Sequence, residues 1–168
     1  MKTLIIYSSL TGNTKKLAEA MARELEDAEL IPADQFQVSH LQNFDCFMIG
    51  YWINKGDCDE LSQRVIAHMQ GKKLVLFGSL GAKENSAYYD MIKQNVEKHV
   101  HDAHLLGHFL CQGSVGEKTI ERYQEMLAKN PEDIHLKAQL EAYEEGIHHP
   151  NEQDIQNAIT FIKTILGS

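Results

Sequence analysis

The chain has 168 residues and a formal net charge of −8, from 24 acidic against 16 basic residues. That length suits a single domain over residues 1–168 with a substantial core. An acidic chain without a basic cluster argues against nucleic acid or an anionic membrane surface as partner.

The first run, Thr3-Leu4-Ile5-Ile6-Tyr7, is β-branched and aromatic and reads as a buried strand. Leu17, Ala18, Met21, Ala22 and Leu25 follow at helical spacing on one face. Further strands are expected at 28–32, 46–50, 73–78 and 105–112, and helices at about 58–70 and 86–100. Cys46 and Cys111 fall in apolar strands, as small buried hydrophobes do. Cys58 shares no C-x-x-C spacing with either, no secretory apolar stretch follows Met1, and no apolar run is long enough to span a bilayer. A cytoplasmic protein is expected.

Residues 113–149 have room for two extra helices. Ser114 and Glu117 match a capping box, and Asn130-Pro131 reads as a cap followed by proline at the first helical position. Leu136, Leu140, Tyr143 and Ile147 form a one-sided stripe, which suits a helical hairpin packed on its own domain or a lid or docking element. A last helix over 152–166 presents Ile155, Ala158, Ile159, Ile162, Ile165 and Leu166 on one face, with Pro150-Asn151 before it and Gly167 after it. Strands alternating with helices imply a parallel α/β sheet covered on both faces.

Between the first strand and first helix lies Ser8-Ser9-Leu10-Thr11-Gly12-Asn13-Thr14. At such a junction the unpaired N–H groups of the first helical turn point outward and the macrodipole favours negative charge. Hydroxyls of Ser9, Thr11 and Thr14 and the Asn13 amide add donors, and Gly12 lets the backbone close around a small anion. This is a phosphate cradle without a cationic clamp. A Walker A loop and a G-x-G-x-x-G fingerprint are both absent.

The S-x-T-G-N-T pattern directly after the first strand resembles the phosphate loop of the flavodoxin family, whose cofactor is flavin mononucleotide (FMN). The resemblance covers most of residues 1–112 and the last helix. It implies a flavodoxin-like three-layer sandwich with a five-stranded parallel sheet, order 2-1-3-4-5, and a helical insertion before the last helix. It also implies a cradle from Ser9, Leu10, Thr11, Gly12, Asn13 and Thr14. Two further loops would hold the flavin ring. The first carries Tyr51, Trp52, Ile53, Asn54 and Gly56, with the only tryptophan of the chain and a glycine whose peptide could flip. The second carries Ser79, Leu80 and Gly81. The family's outer tyrosine has no match here: Lys83 and Glu84 stand at that place, and Tyr88 and Tyr89 come later.

Other patterns have plainer explanations. Cys58 and Arg64 satisfy C-x5-R, yet the acidic stretch between them lacks glycines to wrap a phosphate. His99, His101 and His104 read as a solvated helix end rather than a metal site. The resemblance implies an electron-transfer protein working between a reductase and an acceptor enzyme, with a monomer expected and no catalytic or metal-ligating residue assigned. The alternatives are an FMN-dependent reductase of a quinone or similar small molecule, and a non-catalytic flavin-binding module. The absence of an NAD(P)H-binding motif favours the carrier.

Overall fold

The computed structural model describes residues 1–167. Five strands run parallel: β1 (Thr3–Tyr7), β2 (Ala28–Pro32), β3 (Cys46–Asn54), β5 (Lys73–Leu80) and β6 (His104–Gln112). Their order is β2-β1-β3-β5-β6, and a two-residue strand β4 (Asp57–Cys58) pairs antiparallel with the end of β3. Leaving β4 aside, this is the 2-1-3-4-5 path expected from the sequence. β1, β3 and β5 are apolar almost without alternation, as strands covered on both faces must be.

Helices α1 (Asn13–Glu24) and α6 (Glu152–Leu166) cover one face, where Leu17, Met21, Ala158 and Ile162 pack over Ile5, Met48, Val75 and Phe77. Helices α2 (Glu60–Ile66) and α3 (Ser86–Glu97) cover the other, where Val65, Ile66, Ile92 and Val96 pack over Ile6, Ile49, Tyr51 and Leu76. Successive strand residues feed opposite cores because side chains alternate across a sheet. Among the described residues no helix is long and apolar enough to cross a membrane.

Several boundaries differ from expectation. β3 continues through Asn54 instead of ending at Gly50. It turns through Lys55 (φ 53°) and Gly56 (φ 80°) into β4, the left-handed pair that a tight two-residue hairpin requires. The expected loop is therefore a β-hairpin. β5 likewise runs on to Leu80, and α2 and α3 stop short of the expected 70 and 100.

The extra segment does form two helices, α4 (Glu117–Lys129) and α5 (Ile134–Glu145), but their caps are not the ones read from sequence. Gly116 precedes α4 without a side-chain cap, and Ser114 bonds elsewhere. Asn130 closes α4, while Asp133 caps α5 by accepting from the His135 and Leu136 amides. The two helices meet through Tyr123 and Tyr143, edge to face with ring centroids 5.0 Å apart. Ile147 leaves the apolar stripe because it lies beyond α5 in a 3-10 turn, 55% exposed. The last helix starts and stops where expected, with a capping box between Asn151 and Asp154.

At the carboxyl end of the sheet, backbone approach is limited by two rings. A Cβ on Gly50 would overlap Phe77, and one on Gly78 would lie 2.5 Å from the Tyr51 ring. Gly78→Ala should lower the free energy of unfolding by about 1–3 kcal/mol, the usual cost of overpacking. Combined with Tyr51→Leu it should cost less than the sum of the two single changes, as read by chemical denaturation of all four proteins.

Candidate functional site

The chain leaves β1 at Tyr7 and enters α1 at Asn13 through residues 8–12. Gly12 occupies the N-cap in the left-handed region (φ 90°) and supplies no side-chain cap, so the end of α1 is closed by other means. Ser9 Oγ accepts from the Gly12 amide at 3.1 Å and the Lys15 amide at 3.3 Å. These donors converge on one small oxygen at the positive end of a helix, the arrangement that anion sites use. The nearby cations are directed elsewhere: Lys16 Nζ donates to the Pro150 carbonyl, and Lys15 Nζ lies 3.9 Å from Glu19. An anion here would be met by dipoles and hydroxyls rather than by an ammonium group.

The loop is held from below and from both sides. Thr14 is 1% exposed, and its hydroxyl donates to the Tyr51 carbonyl at 2.8 Å, so it ties α1 to β3 instead of facing a ligand. Asn13 Nδ2 donates to the Ser114 carbonyl (2.7 Å) and to Thr11 Oγ1 (2.8 Å), and Ser114 Oγ donates back to Asn13 Oδ1. Gly113 leaves room for this exchange, since a Cβ there would lie 2.8 Å from Asn13 Nδ2. On the other side the Ser8 hydroxyl donates to Asp59 at 2.7 Å. Asp59 is buried at 4% exposure and also accepts from the Trp52 amide and from the Ser62 amide and hydroxyl.

Beside the cradle opens a cleft of about 180 Å³. Leu10, Thr11 and Asn13 line it from the first loop, Trp52 and Ile53 from β3, and Ser79, Leu80 and Gly81 from the end of β5. Its fourth wall is the β6–α4 connection, with Ser114, Val115 and Gly116, and the first turn of α4, with Thr119. Most of the site residues read from sequence thus come together. Ser9 and Gly12 form the helix-end cradle itself.

Four do not face the cleft: Thr14, already described, and Tyr51, Asn54 and Gly56. The Tyr51 ring is fully buried on the α3 side, because side chains alternate along β3 and Trp52 takes the cleft side. Its hydroxyl lies 2.6 Å from His108 Nε2. Asn54 and Gly56 sit in the hairpin beyond the cleft, and the Gly56 carbonyl accepts from Asn95 Nδ2 at 2.9 Å, which ties the turn to α3. The residues missed by sequence reading are Asp59 and the β6–α4 wall. Asp59 carried a signal in its Asp-x-x-Ser helix-cap pattern, but the wall follows from the tertiary path of the insertion and has no local signature.

Comparison with known proteins agrees with this geometry. A family model described as a flavodoxin domain matches residues 4–163. A flavodoxin-like domain-containing protein BilS from Clostridioides difficile is 38% identical, covering 99% of this chain and 97% of that protein. The BilS protein of Clostridium symbiosum is 31% identical, covering 92% and 90%. Among solved structures, a Lactobacillus acidophilus flavoprotein in complex with FMN superposes with a TM-score of 0.52 at 18% identity, over 65% of this chain and 92% of that one. The Streptococcus pneumoniae flavodoxin superposes with a TM-score of 0.53 at 18% identity, over 88% and 100%. At such identities the structures report a shared fold.

The buried Tyr51–His108 pair makes stability pH-dependent. Burial, and then the charge of Lys93, pull the His108 imidazole down from 6.5 to about 3. Among the described residues its Nδ1 has no hydrogen-bond partner, and it lies 3.6 Å from Glu97. Between those values the unfolded chain binds a proton that the folded chain does not, so stability falls as pH drops through that window. Burial raises the Glu97 carboxyl, which acts in the opposite sense. Denaturation curves between about pH 7 and pH 4 should therefore show a steeper loss for the native chain than for His108→Gln, which lacks the titrating ring.

Proposed function

This chain belongs to the flavodoxin family, and from that premise we propose that its cleft binds FMN and that it carries electrons, as a monomer in the cytoplasm, between a reductase and an acceptor enzyme. The observation that carries the reading is the open end of α1, where the Gly12 and Lys15 amides converge on Ser9 Oγ beside a cleft walled by Trp52. The donor set fits a phosphate monoester: it is rich in N–H and hydroxyl donors and is shaped by a left-handed glycine. The phosphate would share those amides with Ser9, and Thr11 would add a hydroxyl. Trp52, Ile53, Leu80 and the 68% exposed Leu10 offer apolar surface for a flat ring. Bound FMN would supply the one- and two-electron redox chemistry.

The remaining groups position these contacts. Asp59 fixes the phosphate loop through Ser8 and the ring wall through the Trp52 amide. The carrier role is supported by the net charge and by the exposed acidic residues Glu132, Asp133, Glu141 and Glu144 around α5, which would attract a basic redox partner. The three cysteines are free and buried, which suits a reducing compartment. The reductase reading has one observation in its favour, a second cleft of about 620 Å³ between α5 and residues 82–88, with Tyr88 and Tyr143 in its walls.

The purified protein should be yellow, with a flavin absorption spectrum, and NADPH without a partner protein should leave that spectrum unchanged. Bleaching by NADPH alone would favour the reductase. Adding FMN to flavin-free protein should also quench most of the Trp52 fluorescence, since this single tryptophan lines the cleft; negligible quenching with flavin bound would remove Trp52 from the ring site.

A further inference from the structure

Away from the cleft, the β3–β4 hairpin meets the end of α3. There the Asp57 carboxylate lies 2.8 Å from His99 Nε2, and Cys58 is next in the chain. One carboxylate oxygen of Asp57, one imidazole nitrogen of His99 and the Cys58 sulfur all lie within 4.8 Å of one another. We propose that these three side chains bind a divalent cation of the zinc type, with water as the fourth ligand.

The donor set is the first reason. A thiolate, an imidazole and a carboxylate together suit Zn²⁺ far better than Mg²⁺ or Ca²⁺, which take oxygen ligands. The supporting shell is the second. Asp57 Oδ1 accepts from the Cys58 amide at 2.7 Å, the Cys58 carbonyl accepts from Gln63 Nε2 at 2.8 Å, and the preceding Gly56 carbonyl accepts from Asn95. Both neighbouring ligands are thereby held on a tight hairpin. The Asp57 and His99 side chains are 34% and 29% exposed, so water can enter from outside, while Cys58 closes the inner side at 2% exposure.

Charge is the third reason. The Asp57 and Asp59 carboxylates flank Cys58 in the chain, and their negative charge favours a dication at the sulfur. On binding, the S–H bond breaks, a sulfur–metal bond forms and the proton leaves to solvent. Tetrahedral ligands at ordinary zinc bond lengths stand roughly 3.3–3.6 Å apart, so the 2.8 Å Asp57–His99 contact would open as the metal enters between them. The metal would staple the hairpin that carries Trp52 and Ile53 to α3. This inference is independent of what the cleft holds.

The test is a Co²⁺ titration of the reduced, metal-stripped full chain, followed by difference spectra with and without Zn²⁺. The expected result is saturation at one equivalent, with a sulfur-to-cobalt charge-transfer band and tetrahedral d–d bands that Zn²⁺ abolishes. Cys58→Ser should lose the charge-transfer band, and His99→Ala, at a partly exposed position, should weaken binding by more than about 100-fold. Zn²⁺ should raise the melting temperature of the native chain and leave that of His99→Ala unchanged. No saturation, binding without a sulfur band, or binding equal in His99→Ala would overturn the site and leave Asp57–His99 as a hydrogen-bonded pair alone.

Discussion

A single buried carboxylate links the parts of the candidate site that come from distant sequence. Asp59 accepts from Ser8, from Trp52 and from Ser62, so the β1–α1 loop, the end of β3 and the start of α2 share one anchor. A carboxylate at 4% exposure is tolerable because each of these bonds is to a charged acceptor and most of its lone-pair sites are filled. On the opposite side Asn13 and Ser114 make a similar clasp with neutral groups, fastening the loop to the β6–α4 connection. The cleft between the two clasps therefore has walls positioned by hydrogen bonds rather than by loop packing.

The sheet sets the distances that these clasps close. Thr14 reaches the Tyr51 carbonyl only because β1 and β3 are adjacent and Gly50 admits the Phe77 ring beneath α1. The insertion then adds what a bare sheet edge lacks. Tyr143 and Val115 press against Gly81, where a Cβ would meet Val115 at 2.5 Å, and Gln112 Nε2 donates to the Ala142 carbonyl. The hairpin is thus fastened to the ends of β5 and β6 and forms one wall of the cleft, while its acidic residues around α5 stay in solvent.

What could be read from the sequence was local. The strand–loop–helix at residues 3–25 and the last helix are specified by neighbouring residues, through periodicity, caps and a left-handed glycine. What could not be read depended on alternation carried past an assumed strand end. Taking β3 to stop at Gly50 left Tyr51 and Trp52 as loop rings of equal standing. With the strand running to Asn54, one must enter the core and the other the cleft. Gly56 carries only half of the turn's signal, since a two-residue hairpin needs two left-handed residues and Lys55 is not one that favours that region. Ser114 looked like a helix cap because its spacing to Glu117 is right. It is instead claimed by Asn13, 101 positions away, a competition that no local pattern reveals.

The central claim is that the end of α1 holds the phosphate of the cofactor. Titrating flavin-free protein with FMN and with riboflavin tests it most directly, because the two ligands share the ring and differ only in the phosphate. Hydrogen bonds to a charged acceptor are worth about 1.5–3 kcal/mol each, so FMN should bind at least about tenfold more tightly. Equal affinities would contradict the account, because the cradle around Ser9, Gly12 and Lys15 would then contribute nothing to binding.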